Sequence, residues 1–445
     1  MKAHRDILHL VNSTPFVDTH EHLWEEQHRV NALRRGRDNN IWAPDFGLLL
    51  GHYVDSDLIV AGATPEMLTK VKGYDLSPKE KWALIEPYYK RARNTGYLRC
   101  IRESVRRLYG VNDLNADNVE KVSDKIRAGI HPGFYETILC DVAHIEYCHV
   151  NSLEASPFME TADPALLAQD LSFVSFCGPG NMEKLGRAAG TDPDTLDYWH
   201  AIIDWHFEKY GPRAIALKSQ MAYNRRLDFE RVSAEDAAPL FARNAKDEDS
   251  LTPAEDKALQ DHLFHYCMEK AAEYNLVVKL HTGYYAGQGS MPMHRLTANA
   301  GDVCELLRAH PNVRFDFLHI GYPCEDEFIA VAKQWPNAYI DMCWAWIINP
   351  AASVRFLKEF LMAVPANKLF SFGGDFMPVE MVPGHAAIAR QGIAQALTEL
   401  VDEGWMDDDD VPGIADRIMR GNAHEVFDQP GKLTAWRAAG SAVSK

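Results

Sequence analysis

Phe16-Val17-Asp18-Thr19-His20-Glu21-His22 is the stretch whose reading decides the fold. It opens apolar and β-prone and closes on alternating ionisable residues. Successive side chains of a strand point to opposite faces, so His20 and His22 share one face. Two imidazoles side by side at a strand end can bind one divalent ion.

Other stretches end in the same way. Short apolar, β-rich runs recur at Phe16–Asp18, Ile145–Val150, Leu171–Cys177, Ala214–Lys218, Leu276–His281, Val313–His319, Ala338–Cys343 and Leu369–Phe372. Such continuous apolar character fits strands buried on both faces, as in parallel sheets. Helical patterns separate most of them, which predicts an α/β fold, a distorted (β/α)8 TIM barrel. Strand C-termini of such a barrel face one mouth, where catalytic residues collect. Lys218 ends the fourth strand, His281 the fifth and His319 the sixth, while Asp375 follows the eighth after Gly373-Gly374. Five ligand-type residues and one Lys therefore reach one mouth. Imidazoles with one carboxylate predict a divalent metal ion, zinc first and manganese or iron as alternatives, with a position left open for water.

The spacing is uneven. About 125 residues lie between the first two strands, too many for a simple connection. They read as helical over Pro78–Asn94, Leu98–Tyr109 and Ala116–Ala128, which predicts a mostly helical insertion at the barrel mouth. The expected organisation is a barrel of 1–22 and 144–437, an insertion of 23–143 and a frayed tail of 438–445. A second, polar insertion spans Asn224–Ser250. Ser77-Pro78-Lys79-Glu80 and Thr252-Pro253-Ala254-Glu255 each offer a capping box with Pro at the first helical position. Asp407–Asp410 reads as a solvated helix start before Val411.

Composition narrows the function. The 445 residues are 47% hydrophobic and 24% charged, ordinary for a globular chain. A net charge of −17 argues against a nucleic-acid surface, since phosphate binding needs clustered Lys and Arg. No apolar run approaches the ~18–20 residues of a membrane span. The N-terminus lacks an apolar leader and cleavage site, so a cytoplasmic location is expected. None of the eight Cys forms CxxC, and buried thiols in a reducing compartment are expected. GxSxG, Walker A and GxGxxG are absent. A cytidine-deaminase-type zinc site has partial support from His144-Ile145-Glu146 and Pro323-Cys324, but position 327 is Glu where a second Cys is required.

These residues together resemble the amidohydrolase superfamily, in its second, decarboxylase- and hydrolase-like branch. The likeness runs from Val17–His22 to Ile418-Met419-Arg420-Gly421-Asn422-Ala423-His424-Glu425-Val426-Phe427. Closer similarity is to the amidohydrolase-like part of nodulin/glutamine-synthetase-type fusion proteins. Ala216-Leu217-Lys218-Ser219 with Ala222-Tyr223, His281-Thr282-Gly283, and Leu318-His319-Ile320-Gly321-Tyr322-Pro323 carry it. No glutamine-synthetase activity is expected. More distantly the long insertion is similar to that of uronate isomerases. The resemblance implies that His20, His22, His281 and Asp375 are metal ligands. It implies that His319 hydrogen-bonds substrate or a metal-bound water, and that Asp375 also relays a proton. In binuclear relatives a strand-four Lys is carbamylated and bridges two ions, with His281 and His319 on the second. Without that modification Lys218 would hold a substrate carboxylate. One ion is favoured over two, and a homo-oligomer is expected from the likeness.

The expected reaction is attack of a metal-activated water on an amide, ester or C–C carbonyl of a small anionic or aromatic substrate. Asp375 would act as general base and then acid. Alternatives on the same ligands are non-oxidative decarboxylation of an aromatic or unsaturated acid, aldose–ketose isomerisation of a uronate, and, remotely, a non-catalytic binding protein. Trp24, Tyr284, Tyr285, Trp344 and Trp346 are candidate pocket walls, as aromatics suit a planar or sugar-like substrate. Arg225 is a candidate partner for an anionic substrate.

Overall fold

The structure is a computed structural model that describes residues 2–36, 41–289 and 291–428, together with 431 and 433. The expected tail of 438–445 lies outside the described residues.

Two parallel ladders form the centre. The first orders β1 (Phe16–Glu21), β2 (Ile145–Val150) and β3 (Leu167–Gln169). The second orders β4 (Leu171–Ser172), β5 (Leu217–Ser219), β6 (Val278–Leu280), β7 (Phe315–Phe317), β8 (Ala338–Asp341) and β9 (Leu369–Phe370). Only Asp170 separates β3 from β4. Its N–H donates to the Val150 carbonyl at 2.9 Å, and the Leu171 N–H donates to Ala216 at 2.9 Å. β3 and β4 are thus one strand, split where it changes partners. On the other side the Thr19 N–H donates to Phe372 at 3.0 Å and the His22 N–H to Phe376 at 3.1 Å. Backbone bonds therefore carry the chain after β9 onto β1. The result is the expected distorted α/β barrel, drawn as two ladders rather than one unbroken ring.

The third strand departs from expectation. Leu171–Cys177 was the apolar run, yet the strand begins earlier, at Leu167, and ends at Ser172. Phe173 and Cys177 have ψ near 0°, and Val174–Phe176 is a 3-10 turn. The apolar run is buried there because it packs on an outer helix: the Trp199 Nε1–H donates to the Phe176 carbonyl at 2.9 Å. Burial produced the hydrophobic signal and extended backbone did not.

Helices Leu196–Tyr210, Pro253–Glu273, Asn299–Ala309, Glu325–Gln334, Pro350–Ala363 and Val382–Asp402 alternate with the strands and cover them. Both predicted capping boxes form. The four-Asp run is an exposed turn leading into Val411–Asp416. The polar stretch after Asn224 contains helix Ala234–Asn244. At the end of the barrel away from the strand C-termini, Val17, Ala168, Ala216, Val277 and Phe370 pack with Phe427. Full burial of a large apolar side chain contributes roughly 1.5–3 kcal/mol. The short helix Asn422–Phe427 therefore seals that end and leaves the opposite one for chemistry.

Between β1 and β2 the chain is helical at Glu26–Arg35, Val54–Val60, Pro65–Lys72, Pro78–Ala92, Gly96–Tyr109 and Val119–Gly129. Helix Gly96–Tyr109 lies against Val382–Asp402. A Cβ at Gly384 would overlap the Cys100 carbonyl, so only glycine allows this approach. Arg29 and Glu380 form a buried ion pair, 2.6 Å between Nη2 and Oε1, that ties the same region to the segment after β9. Among the described residues no helix is long and apolar enough to cross a membrane, and none of the eight cysteines forms a disulfide.

Candidate metal centre

His20 lies on β1 and His22 directly follows the strand's last residue, while Asp375 arrives from the loop after β9. Their ligand atoms lie within 4.8 Å of one another, and all three side chains are buried. His20 Nε2 stands 3.2 Å and His22 Nε2 3.3 Å from the same oxygen, Asp375 Oδ1. That oxygen and His20 Nδ1 have no hydrogen-bond partner. Asp375 takes a φ of 60°, uncommon for a residue with a side chain, and its N–H donates to the His20 carbonyl at 2.9 Å. Gly374 makes the turn possible, because a Cβ there would overlap Glu21 Oε1.

Hydrogen bonding fixes the form of His22. Its Nδ1 is 2.6 Å from the Asn151 carbonyl, which only accepts, so Nδ1 carries the proton. Nε2 is left as a lone pair facing Asp375. Burial, with Lys218 nearby, pushes His22 down to about 3 and holds His20 well below the usual imidazole range. Both rings are neutral donors near pH 7. Burial raises Asp375 to about 7, against the opposing effects of Lys218 and a hydrogen bond from Tyr53. A lone pair and a carboxylate oxygen facing each other in a dry site repel unless a proton or a cation lies between them. The N, N, O donor set suits a divalent transition ion.

Lys218 is the buried middle residue of β5, with Nζ 3.4 Å from His20 Nε2. Burial lowers it to about 8, partly offset by Asp375. His281 stands to one side. Its Nε2 donates to the Tyr284 carbonyl at 2.8 Å, and its Nδ1 lies 3.1 Å from His319 Nε2. It belongs to neither of the ligand-atom groups found among the described residues. The second such group joins His319, Cys343 and Asp375, again within 4.8 Å. His319 Nε2 is 3.9 Å from Asp375 Oδ2, and its Nδ1 is unpartnered.

The aromatic candidates divide. Trp344 is at the mouth, its ring edge-on to His319 at 5.3 Å and stacked on Tyr53 at 4.0 Å. Tyr284 meets Trp344 edge-on at 5.8 Å. Tyr285 stacks on Tyr223, which faces His281, and its hydroxyl is spent on the Ala222 carbonyl. Trp24 and Trp346 are not brought to the cluster. Trp24 packs on Trp42 and lies under Arg29, while Trp346 donates to the Ser371 carbonyl and abuts Gly392. Arg225 is not free for a substrate anion, because it pairs with Asp261 and lies over Phe229.

Three contributors escaped the sequence reading. Tyr53, from the region between β1 and β2, hydrogen-bonds Asp375 and stacks between His52 and Trp344. Nothing in its spacing marks it, since it arrives through the packing of distant helices. Cys343 was read with the other cysteines as filler. Below the mouth the barrel axis is charged: Lys279 pairs with Asp170 at 2.9 Å, and Thr19 Oγ1 donates to Asp341 at 2.5 Å. A signal existed here. Asp18, Lys279 and Asp341 each stand two residues before a mouth residue, His20, His281 and Cys343, and so share its face.

Comparison with known proteins bears on the fold and the family. Residues 250–429 match the family described as amidohydrolase. Protein fluG of Emericella nidulans is 30% identical over 381 residues, which is 83% of this chain and 41% of that protein, so the chain spans about two fifths of its relative. Uronate isomerase from Thermotoga maritima shares the fold at a TM-score of 0.75 and 16% identity, over 96% of this chain and 97% of that one. A Lactobacillus casei protein described as a metal-dependent hydrolase gives 0.66 and 15%, over 96% and 98%. At those identities the likeness is one of fold. The family match falls on the part of the barrel that carries His281, His319 and Asp375, and over those residues the chain resembles the amidohydrolase family.

Proposed function

We propose that the protein is a metal-dependent hydrolase that cleaves an amide, ester or C–C bond next to a carbonyl in a small anionic or aromatic substrate. The observation that carries this reading is the convergence of His20 Nε2 and His22 Nε2, both on buried rings, on Asp375 Oδ1, a buried oxygen without a hydrogen-bond partner. They would hold one divalent ion, zinc by donor type. Such an ion supplies Lewis-acid polarisation of a carbonyl and a water made nucleophilic near neutral pH. The chain's own groups do the rest. Asp375, its carboxyl raised to about 7, can take a proton and return it to a leaving group at working pH. Lys218, largely protonated at pH 7, would pair with a substrate carboxylate. Trp344 and Tyr53 would wall the pocket and exclude water.

A second reading is isomerisation of a uronate. What favours it is the fold shared with uronate isomerases from Thermotoga maritima and Caulobacter crescentus, each over 96% of this chain. One panel separates the readings. Zinc-loaded protein is offered N-acyl and ester derivatives of aromatic and aliphatic acids, hydroxyarene carboxylic acids, and glucuronate. Metal-dependent release of acid from the first group supports hydrolysis. Release of CO₂ from the second, or ketose formation from the third, would replace it.

A further inference from the structure

His385 stands apart from the ligand cluster, yet the loop that presents Asp375 is wrapped around it. The residue lies near the start of helix Val382–Asp402 and is fully buried. Phe372 and Phe376, on either side of that loop, meet its ring edge-on at 5.0 and 6.0 Å. Its Nδ1 stands 2.9 Å from the Gly374 carbonyl, in the middle of the loop. A carbonyl oxygen only accepts, so Nδ1 carries the proton. Nε2 is then a lone pair, buried without a hydrogen-bond partner. An apolar side chain of similar shape would avoid the cost of that orphaned atom. The single N–H is what the imidazole adds over such a side chain. The ring is also held in place from behind: the N–H of the preceding residue, Gly384, donates to Ser104 Oγ at 3.0 Å, on helix Gly96–Tyr109.

The bond falls on one particular peptide group. Its carbonyl belongs to Gly374 and its N–H to Asp375, and that N–H donates to the His20 carbonyl at 2.9 Å. The peptide is planar, so its two ends turn together. Turning it would change φ of Asp375, whose observed 60° is a conformation that residues with side chains rarely adopt. Such a conformation persists only where its surroundings over-determine it. Two carboxylates of β1 hold the neighbouring N–H groups: Asp18 Oδ1 accepts from Gly374 at 3.1 Å and Glu21 Oε2 from Phe376 at 2.7 Å. The Gly374 carbonyl needs a donor instead, and His385 supplies it from the helix layer. We propose that His385 is a positioning residue: its Nδ1–H locks the Gly374–Asp375 peptide and so aims Asp375 Oδ1 at His20 and His22. This rests on the metal reading above and adds a residue that acts on the centre only through the backbone.

Zinc affinity separates this role from packing and does not depend on turnover. Metal-free protein is titrated with Zn²⁺ in competition with a chelator. His385→Leu keeps much of the bulk and loses the donor. Its affinity should weaken at least about tenfold, the usual loss when a group that orients a metal ligand is removed. His385→Asn places an amide N–H where Nδ1 stood and should recover most of that loss. His385→Gln carries the same amide one bond farther out and should not. Unchanged affinity in His385→Leu overturns the inference and leaves the hydrolase reading standing. So does His385→Asn binding no better than His385→Leu, or His385→Gln binding as well as His385→Asn. If His385→Leu does not fold, the comparison of His385→Asn with His385→Gln decides. No zinc uptake by the unsubstituted protein overturns both.

Discussion

Asp375 has to be a ligand and a proton carrier at once, and one substitution separates it from every other residue at the mouth. Asp375→Asn keeps shape and size but removes the anionic oxygen shared by His20 and His22. Turnover should fall by at least about 10²-fold, the usual contribution of a positioned acid–base group. Near-normal turnover with full metal would end this role. The residue was legible in the sequence because Gly373-Gly374 mark a turn at a strand end and the carboxylate completes the His-x-His pattern. Tyr53 and Cys343 were not. Tyr53 reaches Asp375 only through packing of helices far along the chain. Cys343 looks, in sequence, like any small apolar residue in an apolar run. Arg225 shows the reverse failure, since a basic residue beyond a strand end is drawn to the nearest buried carboxylate, Asp261.

At the scale of elements, the barrel strands were readable where apolar character and extended backbone coincide, as in Ile145–Val150. They were misread where burial came without extension, as in the turn after Ser172. Two joints carry the consequences. Gly374→Ala would force a methyl group into Glu21 Oε1 and move the loop that presents Asp375. Zinc affinity, measured by competition with a chelator, should weaken at least about tenfold, as for loss of groups that orient metal ligands. Unchanged affinity would show that the loop tolerates the shift. The second joint is Arg29 with Glu380, both buried, linking the helices after β1 to the segment after β9. Glu380→Ala leaves a buried guanidinium without its partner. Urea unfolding should report a loss of about 3–5 kcal/mol, the cost of breaking one side of a buried pair. A loss within experimental scatter would show that water reaches Arg29.

Over the whole molecule, the charged barrel axis makes stability depend on pH in opposing ways. Burial raises Asp341 from 3.8 to about 6, so the folded chain holds its proton longer than the unfolded chain does. That group's stabilisation is complete below pH 3.8 and is lost as pH rises through about 6. Buried neutral imidazoles act oppositely; His385, pushed by burial down to about 3, gains stability over the same range. The net slope therefore mixes signs, and a difference isolates Asp341 together with the buried carboxyls it raises, Asp18 and Asp316. Relative to Asp341→Asn, the unsubstituted, metal-free protein should lose unfolding free energy between about pH 4 and about pH 6.5. Parallel profiles would mean that Asp341 titrates normally.

The central claim is that β1 and the loop after β9 meet around a divalent ion, and metal content tests it most directly. Chelator-stripped protein is offered Zn²⁺, dialysed and assayed by elemental analysis, alongside His20→Ala/His22→Ala. The account predicts at least one tightly held equivalent in the unsubstituted chain and its loss in the double variant. Zinc uptake that is nil in the first, or undiminished in the second, would contradict it.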